Sequence, residues 1–333
     1  MNPLIILLIG ISAVLFFILV LRLHAVLSLL LAALLTGLLT SPELIYQFGL
    51  HSGMSEDAAQ SLSNTPISKR LASAFGNTSG KIGILIAMAS IIGTCLLRSG
   101  AAERIIRSLL TLFGNKNPSM AFLTGGFTLA IPIFFDTVFY LMMPLIKSVG
   151  IRNPKQFALC LMAVTASAAM AHSLIPPTPG PLFVAEELGV DIGVMILGGL
   201  VVGAITVSCG YLYALWASRK WDLPVRDTPD ISVEELKRFV SKDPDSLPSV
   251  GVSLLPILLP LLLIAGNTVL TASFKGQDDL SAFQSGMLSF FQTIGNSNIA
   301  LTLSALVALW LCGCCGSRSR IVKISRNTSR IPS

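Results

Sequence analysis

The chain has 333 residues, 53% hydrophobic and only 12% charged, where ordinary soluble domains carry roughly 25% charged residues. Its net charge of +6 gathers at one end: residues 316–333 hold Arg318, Arg320, Lys323, Arg326 and Arg330 with no acid, and the other 18 basic residues nearly balance 17 acidic ones. This excludes a string of soluble domains and a basic nucleic-acid surface, and leaves a multi-pass, all-α membrane bundle.

Apolar runs recur at 4–21, 25–40, 82–97, 156–175, 191–215, 251–271 and 299–312, most of them approaching the ~20 residues that cross a bilayer core. The first lacks a positive start and a small-residue cleavage site, so it is expected to stay as a helix rather than act as a secretory signal. The mixed-charge stretch 41–81 is expected to be an outer loop or partly re-entrant. Within it and just beyond, AFGNTSGKIG places Asn77 and Thr78 among small residues directly before a predicted span. Free amides at a helix start bind anions; the same cluster also makes ordinary helix caps.

Lys and Arg then set the topology, because basic loops stay in the cytoplasm. One cluster is Arg98, Arg104, Arg107 and Lys116; the next is Lys147, Arg152 and Lys155. Glu103 and Arg104 read as cytoplasmic boundary residues. The stretch between the clusters, 118–146, is too short for two crossings of ~20 residues. It is expected to be a re-entrant hairpin turning near Pro132 and Asp136, with a single broken crossing as the competing reading. Asp136 lies mid-segment in TGGFTLAIPIFFDTVFYLMMPL. A carboxylate there costs roughly 2.5–3.5 kcal/mol by insertion scales, so it marks an ion, proton or polar-solute site; a structural salt bridge is the alternative. Thr137 and backbone groups freed by Pro132 supply hydrogen bonds to such a solute.

Further along, His172 closes an apolar run just before PPTPGP. Its imidazole titrates near physiological pH, which suits a proton carrier, though an ordinary hydrogen-bonded histidine fits the same place. Pro176 to Pro181 are not expected to continue a regular helix. Thr178 and Gly180 would then expose hydroxyl and backbone groups to a cavity, or the segment is a rigid extracytoplasmic loop. The polar stretch 222–249, with Glu234, Glu235, Lys237 and Arg238, suggests a short amphipathic helix. Counting spans puts the amino terminus outside and the basic tail inside.

Cys95, Cys160 and Cys209 lie within apolar runs and are expected to be small core residues. Cys312, Cys314 and Cys315 have no second ligand cluster, so no metal site is expected. No cofactor is expected, and no nucleophile–base pair or phosphate loop points to an enzyme.

Together, AFGNTSGKIG, GTCLLRSGAAERI, TGGFTLAIPIFFDTVFYLMMPL and HSLIPPTPGPL resemble the gluconate permease family of bacterial proton-coupled symporters, from about residue 1 to about residue 310. The resemblance implies an inner-membrane carrier of gluconate or a related small sugar acid, the first part of an inverted-repeat fold whose repeats each hold a re-entrant hairpin. It implies that Asp136 and the PPTPGP break border the substrate route. The expected partners are a small carboxylate, a coupling proton and membrane lipid; a homo-oligomer is compatible with the sequence. Asn77, Thr78, Asp136, Thr137, Thr178 and Gly180 are the expected substrate contacts, with Asp136 or His172 taking the proton. Family members continue with further spans, whereas here CGCCGSRSRIVKISRNTSRIPS follows residue 311. The sequence thus divides into a transporter region at 1–315 and a basic, disordered tail at 316–333. The tail reads like foreign sequence after a truncation, which makes a non-transporting remnant the alternative function.

Overall fold

The computed structural model describes residues 2–114, 117–221, 247–274 and 282–328, the last fifteen of these as backbone. Every regular element among them is helical: α1 (Pro3–Leu15, passing into a π-helical turn, Phe16–Val20), α2 (Ala25–Leu39), α3 (Pro42–His51), α4 (Glu56–Asn64), α5 (Ile67–Arg98), α6 (Ala101–Phe113) and α7 (Pro118–Leu129). There follow α8 (Phe135–Arg152), α9 (Pro154–Leu174), α10 (Pro179–Glu187), α11 (Ile192–Lys220), α12 (Val250–Ser273), α13 (Ala282–Ile294) and α14 (Ser297–Thr328). Lys116 and the polar stretch around Glu234 and Arg238 lie outside the described residues. The boundary expected at 315/316 falls inside α14, and the basic side chains beyond it are likewise outside them.

Among the described residues, five stretches are long and apolar enough to span a membrane: Pro3–Val20, Ile67–Arg98, Pro154–Glu187, Ile192–Lys220 and Val250–Ser273. Two bent pairs also qualify, α2 with α3 at 95° and α13 with α14 at 66°. Contacts divide the chain into two compact units, Met1–Lys81 and Ile82–Ser333.

In the first unit, Pro3 opens α1, where its missing amide costs nothing, and the Asn2 side chain accepts from the Leu4 amide at 3.0 Å. Gly10 lets α1 approach α2; a Cβ there would stand 2.6 Å from Thr36 Cγ2. Outward-facing leucines are left bare, Leu4 at 71% and Leu38 at 73% exposure, as suits a surface solvated by lipid tails rather than water. The stretch 41–81 is not a loop: it holds α3, α4 and the start of α5.

The second unit is organised around α9, which packs against α7, α8 and α11. A Cβ at Gly126 of α7 would meet Ser167 and Val164 of α9, so small residues set the helices close together. A Cβ at Gly125 would stand 3.3 Å from Met142 Cε on α8. In one continuous helix those residues would be about 25 Å apart at ~1.5 Å per residue. The chain therefore turns back across residues 130–134, and α7 with α8 forms a helical hairpin. At the far end of α11, Lys220 Nζ lies 5.2 Å from the Trp216 ring centroid and 5.4 Å from that of Trp221.

Three side chains stand differently from expectation. Lys147 is buried within α8, not in a loop. Glu103 is buried on α6 and accepts from Arg107 at 2.7 Å, an ion pair one turn apart rather than a boundary charge. Cys95 and Cys160 are buried but Cys209 is exposed, because its side of α11 faces away from α9.

Candidate functional site

Two breaks meet in the second unit. One is the hairpin turn at 130–134. The other is Ile175–Thr178, which separates α9 from α10 and includes the cis Pro176–Pro177 bond. They are neighbours because Phe134, the residue capping α8, stacks at a tilt on His172 near the end of α9, with ring centroids 5.6 Å apart. A narrow pocket between them is lined by Ser90 of α5, by Pro132 and Phe134 of the turn, and by His172, Pro177 and Thr178. It has room for about one water molecule.

Glycines bring the backbones this close. A Cβ at Gly93 of α5 would stand 3.1 Å from the Pro132 carbonyl oxygen. On the opposite side, a Cβ at Gly199 of α11 would collide with the Leu174 carbonyl and stand 3.2 Å from Ile175 Cγ1.

The proline chemistry explains the second break. In an unbroken helix the carbonyls of His172 and Ile175 would accept from the amides four residues on. Those positions are Pro176 and Pro179, which have no amide hydrogen. Thr178 Oγ1 replaces both donors, reaching the His172 oxygen at 2.7 Å and the Ile175 oxygen at 2.9 Å. Thr178 is 5% exposed and its single hydroxyl hydrogen is shared between these carbonyls, so towards a solute it offers lone pairs only. The expectation that PPTPGP is non-helical throughout is corrected here: Pro179, Gly180 and Pro181 open α10, where proline fits the first turn.

Both α8 and α10 begin at this pocket, and their unpaired first-turn amides and dipoles make the region positive. Gly180 lies in the first turn of α10, is exposed, and supplies an amide hydrogen between two prolines. Asp136 and Thr137 occupy the first turn of α8, Asp136 exposed and Thr137 half-buried. The Asp136 carboxylate has no hydrogen-bond or ion-pair partner among the described residues. His172 is half-buried, and its Nδ1 is buried with no hydrogen-bond partner among the described residues.

Asn77 and Thr78 are not at a helix start. They lie inside α5, whose first residue is Ile67, so their amides belong to the helix ladder and offer no free N–H groups to an anion. Asn77 is exposed and Thr78 half-buried. Glycine, serine and asparagine resemble a cap in water-soluble proteins, but membrane helices tolerate small residues in their interior. Nothing in the sequence singles out Ser90. It is one hydroxyl in an apolar helix, bonded to the Ile86 carbonyl at 2.9 Å, and only tertiary packing brings it to the pocket. No group of three potential metal ligands occurs among the described residues.

Comparison with known proteins extends this picture. The profile of the GntP family permeases matches residues 2–329. The chain belongs to the GntP permease family. Relatives of this GntP family member include an uncharacterized permease of Haemophilus influenzae, 34% identical over 315 residues, which are 92% of this chain and 59% of that protein. A gluconate permease of Pseudomonas aeruginosa is 32% identical over 268 residues, 80% of this chain and 55% of the relative. The high-affinity gluconate transporter of Escherichia coli is 28% identical over 292 residues, 88% of this chain and 58% of the relative. The chain thus spans less than two thirds of the length of these relatives. No solved structure matches it. The family is one of permeases, not enzymes. Its profile runs on to residue 329, and the remnant alternative is not favoured.

Proposed function

We propose that this chain carries gluconate, or a closely related small sugar acid, across the bacterial inner membrane together with a proton, through the pocket at the two breaks. The observation that carries the reading is the convergence of two helix N-termini, those of α8 and α10, on one pocket. Broken membrane helices aim such ends at the carboxylates of their substrates, and the relatives named gluconate permease supply the substrate class.

In this reading the solute carboxylate takes the amides of Gly180 and Thr137, with Thr178 lone pairs accepting from its hydroxyls. Asp136 or His172 takes up the proton, whose charge offsets that of the carboxylate. The α7–α8 hairpin is read as re-entrant, with Arg107 before it and Arg152 at its end on the cytoplasmic side, within an inverted-repeat arrangement. The tightness of the pocket means that the hairpin and the α9–α10 break must part for a solute to enter, as in alternating access.

The test is uptake of radiolabelled gluconate by cells that lack other gluconate carriers and express this chain, with and without a protonophore. Accumulation that collapses with the protonophore is expected. Absence of uptake with the protein confirmed in the membrane, or uptake indifferent to the protonophore, overturns the reading.

A further inference from the structure

A second polar cavity, of about 490 Å³, lies in the same unit and has no part in the site above. It sits within the ~300–1,000 Å³ range of small-molecule sites. Three helical elements build it: the start of α11, the last turns of α12, and the bend between α13 and α14. Among its lining are Asp191, Asn267, Thr268, Gln292, Asn296 and Ser297, a concentration of amides and hydroxyls unusual in a chain this apolar.

The cavity is held in shape by tight packing. A Cβ at Gly295 would stand 2.6 Å from the Leu263 carbonyl and 2.7 Å from that of Phe291, and would also strike Asn267. The 66° bend between α13 and α14 is therefore pinned on α12. Gly193 likewise seats α11 on Thr268 and the Ile264 carbonyl. Asp191 Oδ1 caps α11 by accepting from the amides of Gly193 at 3.0 Å and Val194 at 3.1 Å. The same oxygen accepts from Thr268 Oγ1 at 2.7 Å, tying α11 to α12. Its other oxygen and the Gln292 amide have no partner among the described residues.

We infer that this cavity is a second solute site that binds the hydroxyl groups of a small polyhydroxy compound. Side-chain amides both donate and accept, the spare Asp191 oxygen accepts, and among the described residues the lining carries no basic side chain to recognise a carboxylate. The first-turn amides of α11 and α14 that face it are taken by the side chains of Asp191 and Asn296, so unlike the site above it reads hydroxyls rather than an acid group. Its place on the transport route rests on the function proposed above: Gly193 and Gly199 are six residues apart on α11, about 9 Å along the axis, so the cavity stands next to the α9–α10 break. Its binding chemistry does not rest on that reading.

Thiol labelling of the purified full chain in detergent tests the inference without requiring transport. Ser297→Cys, at the cavity wall, is reacted with a maleimide, and the rate due to native cysteines is measured on the unaltered chain and subtracted. A hexitol is expected to slow labelling several-fold, and Asn267→Ala with Gln292→Ala to abolish that protection. Thr271→Cys, exposed on the same rim, provides a second position should the first fail to fold. Labelling unaffected by hexitol at both positions overturns the inference, and so does protection by gluconate alone. Because gluconate uptake is scored separately, a chain that fails to transport but is protected by hexitol retains this site and loses only the route.

Discussion

Thr178 replaces two amides that proline removes, and that makes it the residue on which the second break depends. Thr178→Val keeps the shape and deletes the donor, leaving the His172 and Ile175 carbonyls unserved. A loss of about 1–3 kcal/mol is expected for buried acceptors left unsatisfied, read as a lowered Tm of the purified protein, with Thr178→Ser retaining most of it. Asp136 calls for the opposite outcome. It is exposed and carries no hydrogen bond or ion pair among the described residues, so Asp136→Asn should leave folding and membrane insertion intact while abolishing proton-driven accumulation. Accumulation retained in that mutant rules Asp136 out as the coupling group. The two residues also differ in how plainly the sequence announces them. A carboxylate in an apolar segment stands out by its cost, whereas the second duty of a threonine hydroxyl depends on which carbonyls the prolines orphan, and on the buried fold around them.

Helix α11 carries its own control experiment. Adjacent glycines face different surroundings: a Cβ at Gly198 meets nothing within 4 Å, while one at Gly199 strikes the Leu174 carbonyl. Gly198→Ala should be neutral or stabilising by up to about 1 kcal/mol, since alanine holds a helix better than glycine. Gly199→Ala should cost about 1–3 kcal/mol through forced displacement of a backbone neighbour, seen as a lower yield of monodisperse protein and a lower Tm. Equal behaviour of the two would show that α11 does not press on the break. The helices themselves are largely legible in the sequence, because a run that excludes charge over ~20 residues suits little besides the interior of a bilayer. Their ends are less so. The stretch before residue 82 reads like a loop because Asn77, Thr78 and Ser79 favour caps in water, yet α5 passes straight through them. Pro144 and Pro132 look alike in sequence; one sits inside α8 and the other in the turn, and only packing against neighbours decides which proline breaks the chain.

Each unit taken by itself carries a membrane signature: bare leucines on α1 and α2 in the first, and Trp216, Trp221 and Lys220 at one end of α11 in the second. The proposed mechanism moves a monovalent carboxylate with one proton, so no net charge crosses. In proteoliposomes, an imposed pH difference with an alkaline interior should drive accumulation of gluconate. A potassium-diffusion potential imposed without a pH difference should not. Accumulation driven by the potential alone would require a second cation or a different coupling group.

Where two helix ends face a pocket, the preference for negative charge resides in the main chain. Point mutation replaces side chains and leaves those dipoles in place. A lineage built on this arrangement can therefore exchange one acid for another by altering the walls, at Ser90 or Phe134 for instance, without ever passing through a form that has lost its taste for anions. The same property makes the site hard to convert to a carrier of neutral or cationic compounds, so its evolutionary freedom is wide in shape and narrow in charge.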